Sequence, residues 1–242
     1  MGNFTVPDLV LEDHFLANDS VADAAIGSLN WEIVTIANAS TYAHLVTTNL
    51  SSEFIGGLRQ STAATADGDG SVLRLDEDTL LAYKSMEMRW RCRYPTVTGN
   101  VLAANNWRIG LVDSVTATAP TVGIYFESLA GVLTCHTASA DHGDESLAVT
   151  AHADLTSGTT MVIDTWATFG FTVGASSNAQ GGPSEVLFHV NGTTYRVPTN
   201  IDDDEEMELS IAHWQTSGGA ASLEIDMDYI GLYVPHPAGR KA

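Results

Sequence analysis

Apolar residues in this chain recur at every second position in short runs, and Gly, Asn, Asp, Ser and Thr bound those runs. A period of two places alternate side chains on opposite faces of a strand, whereas an amphipathic helix would need spacings of three and four. The first half carries the pattern over Trp31–Ile36, Gly57–Ser61, Ser71–Leu75, Ser85–Tyr94, Trp107–Val112, Val122–Ser128 and Val132–Thr137. The second half adds Trp166–Val173, Glu185–Val190, Thr193–Val197, Met207–His213 and Ser222–Tyr233. Asn191-Gly192 between two of these runs is the dipeptide that supplies positive φ at both central positions of a hairpin turn, so it predicts a hairpin tip. Thr62–Gly70, Asp141–Gly158 and Gly174–Pro183 break the rhythm and read as loops. The pattern predicts an all-β sandwich of two antiparallel sheets over residues 26–234. Residues 1–25 are expected to form an N-terminal arm or edge segment, and residues 235–242 a C-terminal tail.

Composition narrows the class. The chain has 242 residues, 44% of them apolar, which is enough to build a large core and excludes wholesale disorder. No apolar run approaches the roughly 18 residues of a membrane-spanning helix, and the amino terminus lacks the basic-then-apolar pattern of a secretory leader. Ten basic residues against thirty acidic ones leave a net charge of −20, which repels nucleic acid phosphates. An acid excess with only Lys84 and Lys241 as lysines suits salty surroundings, where screening weakens self-repulsion. The two cysteines, Cys92 and Cys135, are too few for a disulfide framework and are expected as buried thiols.

Several segments, taken in order, resemble tailed-bacteriophage virion proteins with a concanavalin A-like (laminin G-like) jelly-roll fold. They are GGLRQSTAATADGDGSVLRL at 56–75, MEMRWRCRY at 86–94, WRIGLVD at 107–113, GIYFE at 123–127, DTWATFGFTV at 164–173, VLFHVNG at 186–192 and LEIDMDYIGLYV at 223–234. The resemblance implies a structural protein of the capsid decoration (cement) type, made in the host cytoplasm and bound to the outer surface of the shell. Its partners would be the major capsid protein and further copies of itself, with a trimer expected where capsomers meet on symmetry axes. Neither nucleic acid nor membrane is expected as a partner. The alternative is a glycan-binding sandwich module of the phage surface, tail or fibre.

Candidate residues follow from both readings. Phe4, Val6, Leu9, Leu11 and Phe15 put apolar surface on the N-terminal segment, the stretch expected to reach onto a partner. Glu224, Asp226 and Asp228 resemble the Glu-x-Asp-x-Glu strand of laminarinase-type glycoside hydrolases, but the last acid is the shorter Asp and the run sits near the carboxyl end, so no enzyme and no catalytic residue is expected. Those three carboxylates are expected instead to oppose Arg89, Arg91 and Arg93 as a charge ladder on the solvent side of one sheet, with Leu223, Ile225, Met227 and Tyr229 facing the core. Trp31, Trp90, Trp107 and Trp166 read as core, and Trp214, before a polar loop, as the glycan-contact candidate. No cofactor is expected. The acidic clusters Asp67–Asp69, Asp141–Glu145 and Asp202–Glu206 are the places a structural calcium ion would take, although Val72 stands where an EF-hand loop after Asp67 would need Gly, and the last run also suits a solvated turn.

Overall fold

The alternating strands stack as two antiparallel sheets in a jelly-roll type sandwich. The computed structural model describes residues 9–16, 21–22, 25–45, 56–75, 80–81, 85–96, 101–114, 116–141, 143–148, 163–177, 181–199, 201, 205–216 and 221–235. With strands numbered along the chain, the front sheet runs β14 (Thr193–Pro198), β13 (Glu185–Val190), β12 (Ala167–Val173), β7 (Glu87–Arg93), β16 (Glu224–Val234), β4 (Leu58–Ser61) and β3 (Thr41–His44). β1 (Leu9–Asp13) pairs with the second half of β16. The back sheet runs β11 (Gly143–Ala148), β10 (Val132–Ser139), β9 (Gly123–Leu129), β8 (Asn105–Val112), β15 (Glu206–Gln215), β5 (Gly70–Arg74) and β2 (Glu32–Thr35), and β6 (Leu80–Leu81) joins β15.

Period-two alternation sorts the side chains between core and surface. On β7, Met88, Trp90 and Cys92 are fully buried, and Phe169 and Phe171 of β12 pack beside them. Trp90 stacks on Phe169 at 5.7 Å between ring centroids and meets Phe126 of the back sheet edge-on at 5.4 Å, so aromatic contacts tie the two sheets together. Each such pair contributes about 0.5–1.5 kcal/mol beyond the area it buries. Both cysteines are buried thiols, and burial drives the Cys92 thiol far above its ordinary pKa.

Four strands were not legible in the alternation. β3 and β6 are short, and β11 falls inside the expected loop Asp141–Gly158 because GDESLA has no apolar alternation. β11 forms through backbone pairing to β10, and its described side chains, Gly143–Ser146, lie in the open. β1 is the fourth, and it takes Phe15, at the start of the loop after it, out of the expected partner-binding set. Phe15 is fully buried in the core and Leu11 packs against it, while Leu9 is 42% exposed on the edge strand. Asp13 explains this: its buried carboxylate accepts hydrogen bonds from the Phe15 and Leu29 backbone N–H groups at 2.8 and 3.1 Å and from Trp31 Nε1 at 2.9 Å, anchoring the segment to its own sandwich. Phe4 and Val6 lie outside the described residues, as do the expected tail from residue 236 onward and residues 202–204 of the last acidic cluster.

Candidate functional site

The front sheet's outer face is built around Arg89. Outward positions on adjacent strands fall in register, so one row crosses five strands as Glu12, Gly231, Arg89, Gly170 and His189. The neighbouring row on one side is Val10, Tyr233, Glu87 and Thr172, and on the other Tyr229, Arg91 and Thr168. Because the residues flanking Arg89 are glycines, the middle row is low and the rows beside it stand as walls. The result is two adjoining hollows of about 410 and 290 Å³ that share Arg89 and Tyr229. The first reaches Val10, Glu12 and His14 on the β1 side, and the second reaches Thr168 and His189. Together they form a trough across the sheet.

Its chemistry is mixed. Tyr229 and the 39%-exposed Tyr233 contribute aromatic surface. Arg89 leaves 69% of its side chain open and pairs through Nε with Glu87, its only ion-pair partner among the described residues. His14 Nε2 lies 3.1 Å from Glu12, and its ring leans on Tyr229 at 6.1 Å. His189 sits between Thr172 and Thr194 at 3.2 and 3.1 Å, and burial lowers its pKa, which keeps it neutral at pH 7.

A β-bulge in β16 aims these groups. Pairing with β7 shifts register between Met227 and Tyr229, so Asp228 is the extra residue and the alternation reverses beyond it. Tyr229, expected in the core, therefore reaches the trough, and Ile230 takes the core position. The register of β16 on β7, which sets Arg93 opposite Asp226, limits the charge ladder. Arg93 meets Asp226 at 3.0 Å and Arg91 lies 3.8 Å from Asp228, but Arg89 faces Gly231 and turns to Glu87 instead. Glu224 is taken by Arg59 of β4 at 2.9 Å, and Arg59 also holds Asp226 at 2.6 Å. Asp226, expected toward solvent, is 0% exposed beneath the two arginines. Burial raises the pKa of both Glu224 and Asp228, with Arg59 and Arg91 opposing. None of the three carboxylates lines either hollow.

Two tryptophans lie elsewhere than expected. Trp214 is 4% exposed on the back sheet's outer side, packed with Val72 and Ala212 under the Arg108 guanidinium 5.3 Å from its ring, so it offers a sugar almost no surface. Trp166, expected in the core, is half-buried on the front face with Arg93 4.7 Å above its ring. Of the calcium candidates, Asp69 spends its carboxylate on the loop itself, accepting from Asn38 and from the Thr65 and Ala66 N–H groups. Among the described residues no group of three or more His, Cys, Asp or Glu side chains is placed to hold a metal ion. The sequence signal for the trough was Tyr-x-Gly-x-Tyr at 229–233, two aromatic walls around a residue without a side chain, hidden by the assumption of unbroken alternation.

No family model matches the chain, and no curated protein matches it. Its fold is similar to a protein of unknown function from Shewanella oneidensis MR-1, at 13% identity and TM-score 0.62, over 100% of this chain and 92% of that one. It is also similar to the botulinum neurotoxin serotype D ligand binding domain in complex with N-acetylneuraminic acid, at 12% identity and TM-score 0.53, over 94% of this chain and 48% of that one. The chain thus spans about half the length of the neurotoxin structure. A conserved carbohydrate esterase from the Shiga toxin-encoding bacteriophage phi24B matches at 15% identity and TM-score 0.53, over 95% of this chain and 100% of that one. At these identities the likeness is one of fold.

Proposed function

We propose that this protein is a non-catalytic glycan-binding module that seats its ligand in the front-sheet trough. The observation that carries the reading is the glycine-floored row around Arg89, walled by Tyr229 and Tyr233. A sugar ring offers an apolar face and a rim of hydroxyls. Tyrosines suit the face, while a guanidinium, carboxylates, imidazoles and a threonine hydroxyl suit the rim. Supporting context comes from similar folds, one complexed with N-acetylneuraminic acid and one described as a phage carbohydrate esterase. The non-catalytic part of the reading is supported by the carboxylates of β16, which are engaged by Arg59, Arg91 and Arg93 and lie outside the hollows. A module of net charge −20 suits the exterior of a phage particle better than its DNA-filled interior. Decoration of a capsid shell as a trimer rests on the sequence resemblance alone, and the trough favours sugar binding over it.

Gly231→Val tests the site. A β-carbon at Gly231 would meet only the Leu11 carbonyl at 3.6 Å and Glu12 Cγ at 3.8 Å, ordinary contacts, and a β-branched residue suits a strand. The variant is expected to fold as the native protein does and to lose at least about tenfold in affinity for whichever glycan an array identifies. Retained affinity would remove the trough as the site, and reducing sugar released from the bound glycan would remove the non-catalytic assignment.

A further inference from the structure

Resting on the glycan-binding reading, we propose that the trough selects uncharged glycans over sialylated or uronate-bearing ones, and that Glu87 is the residue that sets this preference. An exposed arginine in a sugar-binding hollow would ordinarily point to an anionic ligand, because its planar fork matches a carboxylate. Here Glu87, two positions before Arg89 on the same strand, already occupies the Nε edge of that fork. A ligand carboxylate would have to displace it or share the guanidinium with it, and either arrangement leaves like charges in contact.

The surroundings add to the repulsion. Glu12 stands at the end of the same row beside His14, so the first hollow holds two carboxylates, one guanidinium and one imidazole. His189 in the second hollow is kept neutral at pH 7 by burial and adds no balancing cation. The other outward arginines of β7 are committed elsewhere, Arg91 to Asp228 and Arg93 to Asp226 and Asp164. Beyond the trough, the net charge of −20 opposes the approach of any anion. A neutral sugar meets none of this opposition. Its hydroxyls donate to Glu87 and Glu12 and accept from Arg89, so the ion pair becomes an acceptor and a donor side by side.

The experiment uses the full chain on an array that pairs neutral oligosaccharides with their sialylated and uronate-capped counterparts, followed by calorimetry on the best neutral ligand and its sialylated form. The native protein is expected to bind the neutral form at least about tenfold more tightly, and Glu87→Gln, which keeps the side chain's shape, is expected to narrow that ratio by at least about tenfold. Equal or tighter native binding of the sialylated form overturns the selectivity while leaving the site standing. An unchanged ratio in a Glu87→Gln variant that melts like the native protein removes Glu87 from the role. Binding to no glycan in either set overturns the selectivity together with the site.

Discussion

His213 is fully buried on β15, with Nε2 2.7 Å from the Asn105 side-chain oxygen, and burial lowers its pKa from 6.5 to about 3. In the unfolded chain it takes up a proton near pH 6.5, whereas the folded chain resists that proton down to about pH 3. Between those values the unfolded state binds more protons, so the stability His213 contributes is complete above pH 6.5 and declines as pH falls toward 3. Each unit of the window is worth about 1.4 kcal/mol. Glu224 and Asp228, whose pKa values are raised in the fold, act with the opposite sign: the folded state holds their protons longer, so stability falls as pH rises through the range between their unfolded and folded values. His213→Gln removes the titrating group and retains a donor for Asn105. Urea melts should show the variant weaker at neutral pH by about 1–3 kcal/mol, with a flatter decline between pH 6.5 and 5 than the native protein. Parallel pH curves for the two proteins would contradict the assignment. The alternation carries no warning of this histidine, since a single His in an apolar run has the same pattern whether it titrates freely or is sealed in the core.

At the scale of elements, the β13–β14 hairpin shows what sequence can specify well. Asn191 and Gly192 have φ of 46° and 87°, the positive pair expected of this turn, and Asn191 also accepts the Thr168 N–H through its side chain at 2.7 Å, fastening the tip to β12. Gly192→Ala has open space for its methyl group, so its effect isolates backbone strain. It should destabilise by about 1 kcal/mol, or about 2–4 °C in melting temperature for a chain of this size; an unchanged melting temperature would contradict the strain argument. Most core strands were equally legible because each buries one face and alternates cleanly. β11 was not, because an exposed edge strand is held by backbone bonds that leave no apolar pattern. The trough was half legible. The sequence placed Arg89, Arg91 and Arg93 on one outward face, but a single-residue bulge decides whether Tyr229 faces core or ligand, and nothing in Asp-Met-Asp-Tyr announces the slip. The shift by one residue exchanged the roles of Tyr229 and Ile230, and it left Arg89 opposite Gly231 instead of Ile230.

The whole molecule carries a charge imbalance that its internal pairings do not remove. Arg108 with Glu127, and Asp226 beneath Arg59 and Arg93, are buried pairs that added salt reaches poorly. The exposed Arg196–Glu185 and Arg89–Glu87 pairs are weakened by salt, but such pairs are worth only about 0–1 kcal/mol each. Against that small loss stands the mutual repulsion of a −20 surface, which acts over a Debye length of about 30 Å at 0.01 M and about 3 Å at 1 M ionic strength. Screening should therefore relieve more repulsion than it removes attraction. The melting temperature at pH 7 is expected to rise as sodium chloride is increased across that range, by about 2–4 °C for each kcal/mol of repulsion relieved. Chloride is the anion to use, because sulfate strengthens apolar burial by surface exclusion and would raise stability in a protein of any charge. Repeating the titration at pH 4.4, the sequence pI, separates charge from other salt effects, since near zero net charge the rise should shrink. A melting temperature that stays level or falls with sodium chloride at pH 7 would mean that the exposed ion pairs outweigh the net charge, and that the acid excess is not a source of instability in dilute buffer.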